Sequence, residues 1–383
     1  MSRRCSACGT EYPDEVAFCG HDGTVTIEVT PPGQEPDPRL GTQLGDYIIV
    51  AHVADGAMGA VYEARNAQTR QRVAIKVLHA DVAQDEIAVE RFSREYETAA
   101  MFDHPNIVKV IDFGETADGS RFLTMEYLVG QELGALFRSA GSIPPARILH
   151  VLAQVAQALD HAHSFGVIHR DLKPDNIFLC DGPAGDAVRL LDFGSVKLQV
   201  ETGPKLTAFG TTLGSPFYMS PEQAKGLPDV DGRTDVFAVG AILYEGLTGK
   251  IAFDAPTVAE ILMKIVRQKP APATSIAPGL PPAVDAVIDR AIAKDKAQRF
   301  ETPVAFVDAA LAAFGVKGSS AEWAVRPRAE LEASIAEHVE HGPTEPGPMH
   351  VPSQHPAAAS RPAPQAPMAQ GPVMGESLPP RCR

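Results

Sequence analysis

Val167–Leu179 reads VIHRDLKPDNIFL, and Leu190–Gly194 follows as LLDFG. The first stretch sets Asp171 and Asn176 five residues apart with Lys173 between them, and the second ends an apolar run on Asp192. Phosphoryl transfer rests on positioning and charge neutralisation. It needs oxygen-bearing side chains able to hold Mg²⁺ or Mn²⁺, beside a separate carboxylate able to orient a hydroxyl. Asp171, Asn176 and Asp192 together offer such a set. Turn formation, which Asp and Asn favour, explains each residue singly but not their joint spacing.

Upstream, Val53–Ala64 reads VADGAMGAVYEA. Gly56, Gly59 and Val61 fall at the intervals of a G-x-G-x-x-G-x-V phosphate-cradling loop, while Ala54 stands in the first glycine position. Glycines let backbone N–H groups approach phosphates closely, and one added methyl is a small obstacle. Alone, the pattern also fits an ordinary hairpin. Lys76 follows at the end of VAIK (73–76), between short β-rich runs, and Glu95 lies in AVERFSREYETAAMF (88–102), which reads as a helix. A lysine paired with a helix carboxylate can be held against nucleotide phosphates. Glu90 and Glu97 share the helix, so a solvated charged face is the competing reading for Glu95.

Together these motifs, in this order, resemble bacterial eukaryotic-like (Hanks-type) serine/threonine protein kinases over roughly 46–314. GSPFYMSPEQ (214–223) occupies the place of that family's A-P-E-like ending. The resemblance implies an α+β, two-lobed protein kinase fold with a β-rich N-lobe and a helical C-lobe. It implies that Lys76 contacts the α- and β-phosphates of ATP and pairs with Glu95. Asp171 becomes the catalytic base, Lys173 a contact to the transferred phosphate, and Asn176 with Asp192 the Mg²⁺ ligands. Val53, Val61, Ala74 and Phe178 would enclose adenine, with the backbones of Glu126 and Leu128 on its edge beyond Met125. Asp235 would brace the catalytic loop, and Glu222 would pair with Arg299. Lys173 within HRDLKP favours Ser or Thr acceptors.

KLTAFGTTLGS (205–215) carries Thr207, Thr211, Thr212 and Ser215. Arg170 precedes Asp171, and in the family such an arginine accompanies control by phosphorylation of this segment. Thr207, Thr211 or Thr212 is the expected autophosphorylation site, and Ser215 a positioning residue for the substrate hydroxyl. A polar loop that merely contains threonines is the plainer reading.

The N-terminus, CSACGTEYPDEVAFCGHDG (5–23), resembles a zinc ribbon: Cys5, Cys8 and Cys19 are thiolate ligands for Zn²⁺. Spacing favours Asp22 as the fourth ligand, while imidazole chemistry favours His21. A metal-free or redox-active C-x-x-C is the alternative. So short a segment hardly folds without metal.

The expected division is a ribbon-like segment at 1–30, a linker at 31–45, the kinase domain at 46–314 and a mostly disordered Pro/Ala-rich tail at 315–383, with a short helix at RAELEASIAEHVEH (328–341). Further helices are expected at ARILHVLAQVAQALDHAHSFG (146–166) and in four later segments between 235 and 314. A net charge of −14 over 383 residues argues against nucleic-acid binding. No apolar run reaches membrane-span length, and the N-terminus lacks a signal-peptide core, so a cytoplasmic location is expected. Crowded N-terminal cysteines suit a metal site in a reducing compartment. Two readings follow: an active kinase acting on protein substrates, recruited through ribbon or tail, and a pseudokinase scaffold in which ribbon and tail do the work. GSPFYMSPEQ argues against a small-molecule kinase.

Overall fold

Period-two burial builds the first half of the chain. The computed structural model describes residues 2–30, 33, 35–56, 59–79, 86–115, 119, 121–193 and 216–340. Strands β1 (Ser2–Cys5), β2 (Glu11–Pro13) and β3 (Thr26–Glu28) form a small antiparallel sheet in the order β2-β1-β3. A six-stranded sheet follows, made of β4 (Gln43–Leu44), β5 (Tyr47–Asp55), β6 (Gly59–Asn66), β7 (Arg72–Leu78), β8 (Val110–Glu115) and β9 (Arg121–Glu126), ordered β4-β5-β6-β7-β9-β8. On β7, Val73, Ile75 and Val77 are buried, so Ala74 and Lys76 occupy the opposite face. Helix α1 (Glu86–Ala99) lies on this sheet through Phe92, which packs with Leu78 and Leu123.

The second half is helical apart from a three-stranded sheet of β10 (Gly130–Glu132), β11 (Ile177–Gly182) and β12 (Gly185–Leu190). Helices α2 (Leu133–Ala140) and α3 (Pro145–Ser164) precede β11. After β12 come α4 (Pro221–Ala224), α5 (Arg233–Thr248), α6 (Val258–Arg267), α7 (Ala273–Ile276), α8 (Ala283–Ala291) and α9 (Pro303–Ala313). Helices α3 and α5 are apolar on most sides and form the centre of the larger core. Gly166 takes φ 75° just past α3, a conformation that favours glycine and turns the chain toward the catalytic loop.

Two boundaries differ from the expected division. The 31–45 linker already contributes β4, whose Leu44 is buried; a two-residue strand is too short for periodicity to reveal. The fold also continues past Phe314 through α10 (Ser320–Trp323) and α11 (Arg328–Glu340). Trp323 and Leu331 join the larger core, the Trp323 indole N–H donates to the Lys317 carbonyl at 2.9 Å, and Arg328 pairs with Asp186 at 2.9 Å. The tail is thus folded as far as these helices. Its Pro/Ala-rich remainder, 342–383, lies outside the described residues.

Candidate active site

Strand register assembles the roof of the cleft. Val61 stands opposite Lys76 across β6 and β7, and Ala74 stands opposite Met125 across β7 and β9. Directly paired antiparallel residues share a face, so Val61, Ala74, Lys76 and Met125 line one side of the sheet. The Glu126 N–H donates to the Lys109 carbonyl at 2.9 Å, fixing the start of the connection that runs through Leu128 to β10. Phe178 pairs with Glu132 in the sheet below. Val53 is exposed at a bulge in β5, where the register shifts between His52 and Ala54.

The two loop glycines serve different needs. A Cβ on Gly59 would lie 2.1 Å from the Val77 carbonyl oxygen, so the turn's return into β6 demands glycine whatever it binds. Gly56 donates to the Gly59 carbonyl at 2.9 Å, closing the turn. Ala54 is exposed and pairs with Val61.

The floor is a loop suspended from α5. Asp235 is fully buried in the first turn of that helix and accepts the backbone N–H of His169 at 2.9 Å, that of Arg170 at 3.0 Å and His163 Nε2 at 2.7 Å. Burial alone would raise its carboxyl. The hydrogen bond from His163, the neighbouring imidazoles and the Arg170 N–H instead hold it below the usual carboxylate range. Arg170, at φ 65°, is pinned a second way, since Gln223 Nε2 donates to its carbonyl at 2.6 Å. The polypeptide therefore reaches Asp171 already oriented.

Around Asp171 the polar groups converge. Lys173 Nζ donates to Asp171 Oδ2 at 2.9 Å, and Asn176 Nδ2 donates to the Asp171 carbonyl at 2.8 Å. The second bond uses the amide nitrogen of Asn176 and leaves its oxygen as the atom able to ligate a cation. Asp192 sits at φ 54° and accepts from Lys76 Nζ at 3.2 Å, so roof and floor meet across the cleft. Phe193 is buried between His169 and Phe102, with ring centroids 4.8 and 5.1 Å away, and this packing turns Asp192 toward Lys76. Glu222 receives Arg299 through two 2.7 Å bonds in a buried bidentate pair.

Several expected residues fall outside what the structure describes. Glu95 is on α1, but its side chain is outside the described residues, as are Thr207, Thr211, Thr212 and Ser215.

At the N-terminus, Cys5, Cys8, Cys19 and Asp22 place one ligand atom each within 4.8 Å of one another. The two turns are alike. Cys8 N–H points to Cys5 Sγ and His21 N–H to Cys19 Sγ, both at 3.4 Å, and Gly9 and Gly23 close them at φ 73° and 71°. His21 donates its backbone N–H there, and the Asp22 carboxylate is the fourth group of the cluster. The Thr24 N–H holds the Asp22 carboxyl down to about 2.

Sequence reasoning missed Glu63. It is buried on β6 and takes Arg3 at 3.1 Å, Arg72 at 2.8 Å and Arg65 at 3.3 Å. Its place in the alternation of β6 and its basic neighbours Arg65 and Arg72 were the available signals.

The protein kinase domain family model matches residues 47–308. Serine/threonine-protein kinase pkn3 of Myxococcus xanthus is 39% identical over 267 residues, 68% of this chain and 48% of that protein. Pkn1 of the same organism is 35% identical over 369 residues, 94% of this chain and 49% of that protein. The chain thus spans about half the length of these curated relatives. A crystal structure of the Mycobacterium tuberculosis PknI kinase domain superposes with a TM-score of 0.58 at 30% identity, covering 72% of this chain and 98% of that one. Matched by sequence model, by relatives and by fold, the chain belongs to the protein kinase domain family, among its bacterial Hanks-type serine/threonine members.

Proposed function

We propose that this chain is an ATP-dependent serine/threonine protein kinase. The observation that carries the reading is the convergence of Lys76, Asp171, Lys173, Asn176 and Asp192 on one cleft. Lys76 orients the phosphate chain, and its contact to Asp192 ties the two lobes at the reacting end. Asp171 receives the acceptor hydroxyl's proton, held in place by the Asp235 suspension. Lys173 places positive charge beside that carboxylate, where negative charge gathers on the transferred group. Mg²⁺ or Mn²⁺ held by Asn176 and Asp192 would neutralise phosphate charge.

Val53, Val61, Ala74 and Phe178 enclose adenine in this reading, and the Glu126 and Leu128 backbones bind its edge. Gly56 and Gly59 let the backbone of the loop approach the phosphates closely. The scaffold alternative rests on Ala54, whose side chain is exposed on β5. Glu95 completes the Lys76 pair, and one of Thr207, Thr211 and Thr212 takes the activating phosphate opposite Arg170. The ligand set of the N-terminal cluster suits Zn²⁺, which would cross-link the two turns.

Substrates are proteins. Among the described residues no helix is long and apolar enough to cross a membrane, and the cysteines there are free thiols, in keeping with a cytoplasmic setting. The deciding experiment supplies the chain with ATP, Mg²⁺ and a generic basic protein and hydrolyses the product. Phosphoserine or phosphothreonine absent from a Lys76→Met control is the expected result. Phosphotyrosine alone, or no transfer, refutes the reading.

A further inference from the structure

The small N-terminal sheet is seated on the nucleotide-binding strands. Glu63, Arg65, Val61 and their cross-strand partners Ala74, Arg72 and Lys76 alternate along one face of β6 and β7. That face carries the adenine and phosphate contacts at one end and the docked ribbon at the other. Arg65 and Arg72 are directly opposed like charges, an arrangement that is unfavourable unless a carboxylate lies between them. Glu63 supplies that carboxylate, and Arg3 of β1, two residues before Cys5, binds the same group. The Arg72 guanidinium then lies 3.7 Å over the ring of Tyr127, which stands between Glu126 and Leu128.

A second contact reaches the other side of the adenine site. Glu28 Oε2 of β3 accepts the backbone N–H of His52 at 3.2 Å. His52 opens the bulge in β5 whose extra residue is Val53, and bulges leave backbone groups without ladder partners. The ribbon therefore caps an N–H adjacent to the residue that covers adenine.

We propose that metal binding by the ribbon and nucleotide binding by the cleft are thermodynamically linked, through Glu28–His52 on one side and Arg3–Glu63–Arg72–Tyr127 on the other. Metal orders the turns that anchor β1, which carries Arg3, and that hold β3 in place. Those strands then hold the adenine lid and the connection between lobes in their binding geometry. Loss of metal frees both contacts and weakens nucleotide binding, so the kinase responds to the metal and thiol state around it. The proposal rests on the reading of the N-terminal cluster as a metal site.

The test uses the full chain, Zn²⁺-loaded or stripped and repurified, with a fluorescent ATP analogue as probe. Stripping is expected to raise the analogue's Kd about tenfold, within the usual range of coupling between sites. Linkage is reciprocal, so the analogue should tighten Co²⁺ binding, read from its thiolate absorption bands, by the same factor. The double variant Arg3→Gln, Glu28→Gln should still give those bands while its analogue affinity becomes independent of metal. Equal Kd values with and without Zn²⁺, in a chain that shows the Co²⁺ bands, overturn the linkage and leave the metal site standing. A folded chain that binds no Co²⁺ overturns both. Loss of binding together with melting of the β4–β9 sheet makes the ribbon a folding element and overturns the linkage as well.

Discussion

The catalytic loop and the N-terminal ribbon both hold carboxylates in fixed positions, by opposite means. Asp235 and Glu222 are positioned by a large helical core, each buried among donors the fold itself supplies. Asp22 is exposed on a turn before β3, steadied by the Thr24 N–H and beside cysteine sulfurs, next to a sheet of three very short strands. A core that large makes geometry a property of the chain. A ribbon that small makes it a property of the chain plus whatever its thiols hold.

The largest expected effect removes the group that the first arrangement serves. Asp171→Asn keeps the hydrogen-bonding shape but cannot accept a proton, and turnover should fall on the order of 10³-fold with the melting temperature unchanged. An equal fall in melting temperature would show that Asp171 is structural. Next, Arg299→Ala strands a buried Glu222 and should cost about 3–5 kcal/mol in urea unfolding, whereas a loss near zero would mean the pair is screened.

Acid sharpens the contrast. Asp235 and Glu222 are held below their ordinary values in the folded state. Burial opposes ionisation in both, and the hydrogen bond from His163 and the Arg299 guanidinium respectively outweigh it. Because the folded values are depressed, the stabilisation is complete above the unfolded carboxylate values of about 3.9 and 4.3 and drains away as pH falls through the folded ones. Unfolding free energy should therefore drop steeply below about pH 4 in the parent. In Glu222→Gln, which no longer titrates there, the drop should be shallower. For the ribbon, chelation should release amide protection in 2–30 while the amides of α3 and α5 keep theirs, as hydrogen exchange would record. The smallest effect is at the C-terminal extension: Arg328→Ala breaks a partly buried pair, but Arg147 still neutralises Asp186, and about 1 kcal/mol is expected.

The same contrast explains what could be read from the residues alone. The catalytic motifs were legible because each role needs one residue type at one spacing, as with Asp171, Asn176 and Asp192. The long helices were legible because apolar residues recur along Ala146–Gly166 at helical intervals. The β10–β12 sheet was not, since IFLCDG reads as the end of a motif, and although β12 follows it through a tight turn, its other partner β10 lies far upstream, before α2. Helix α10 is a single turn whose burial depends on Trp323 alone among large side chains. Glu63 was only half legible: Arg65 and Arg72 lie beside it in its own sheet, but Arg3 reaches it only through the docking of one sheet on another. Spacing and side-chain chemistry point different ways for His21 and Asp22; in the fold the Asp22 carboxylate lies with the three cysteines while the His21 N–H donates to Cys19 Sγ.

The central claim is that this cleft transfers phosphate from ATP. Its most direct test starts from fully dephosphorylated chain, adds Mg²⁺ and ATP, and follows the intact mass beside an Asp171→Asn control. The account expects successive single-phosphate gains in the parent and none in the variant. A parent that binds ATP yet gains no mass, and leaves added protein substrates unmodified, would contradict it.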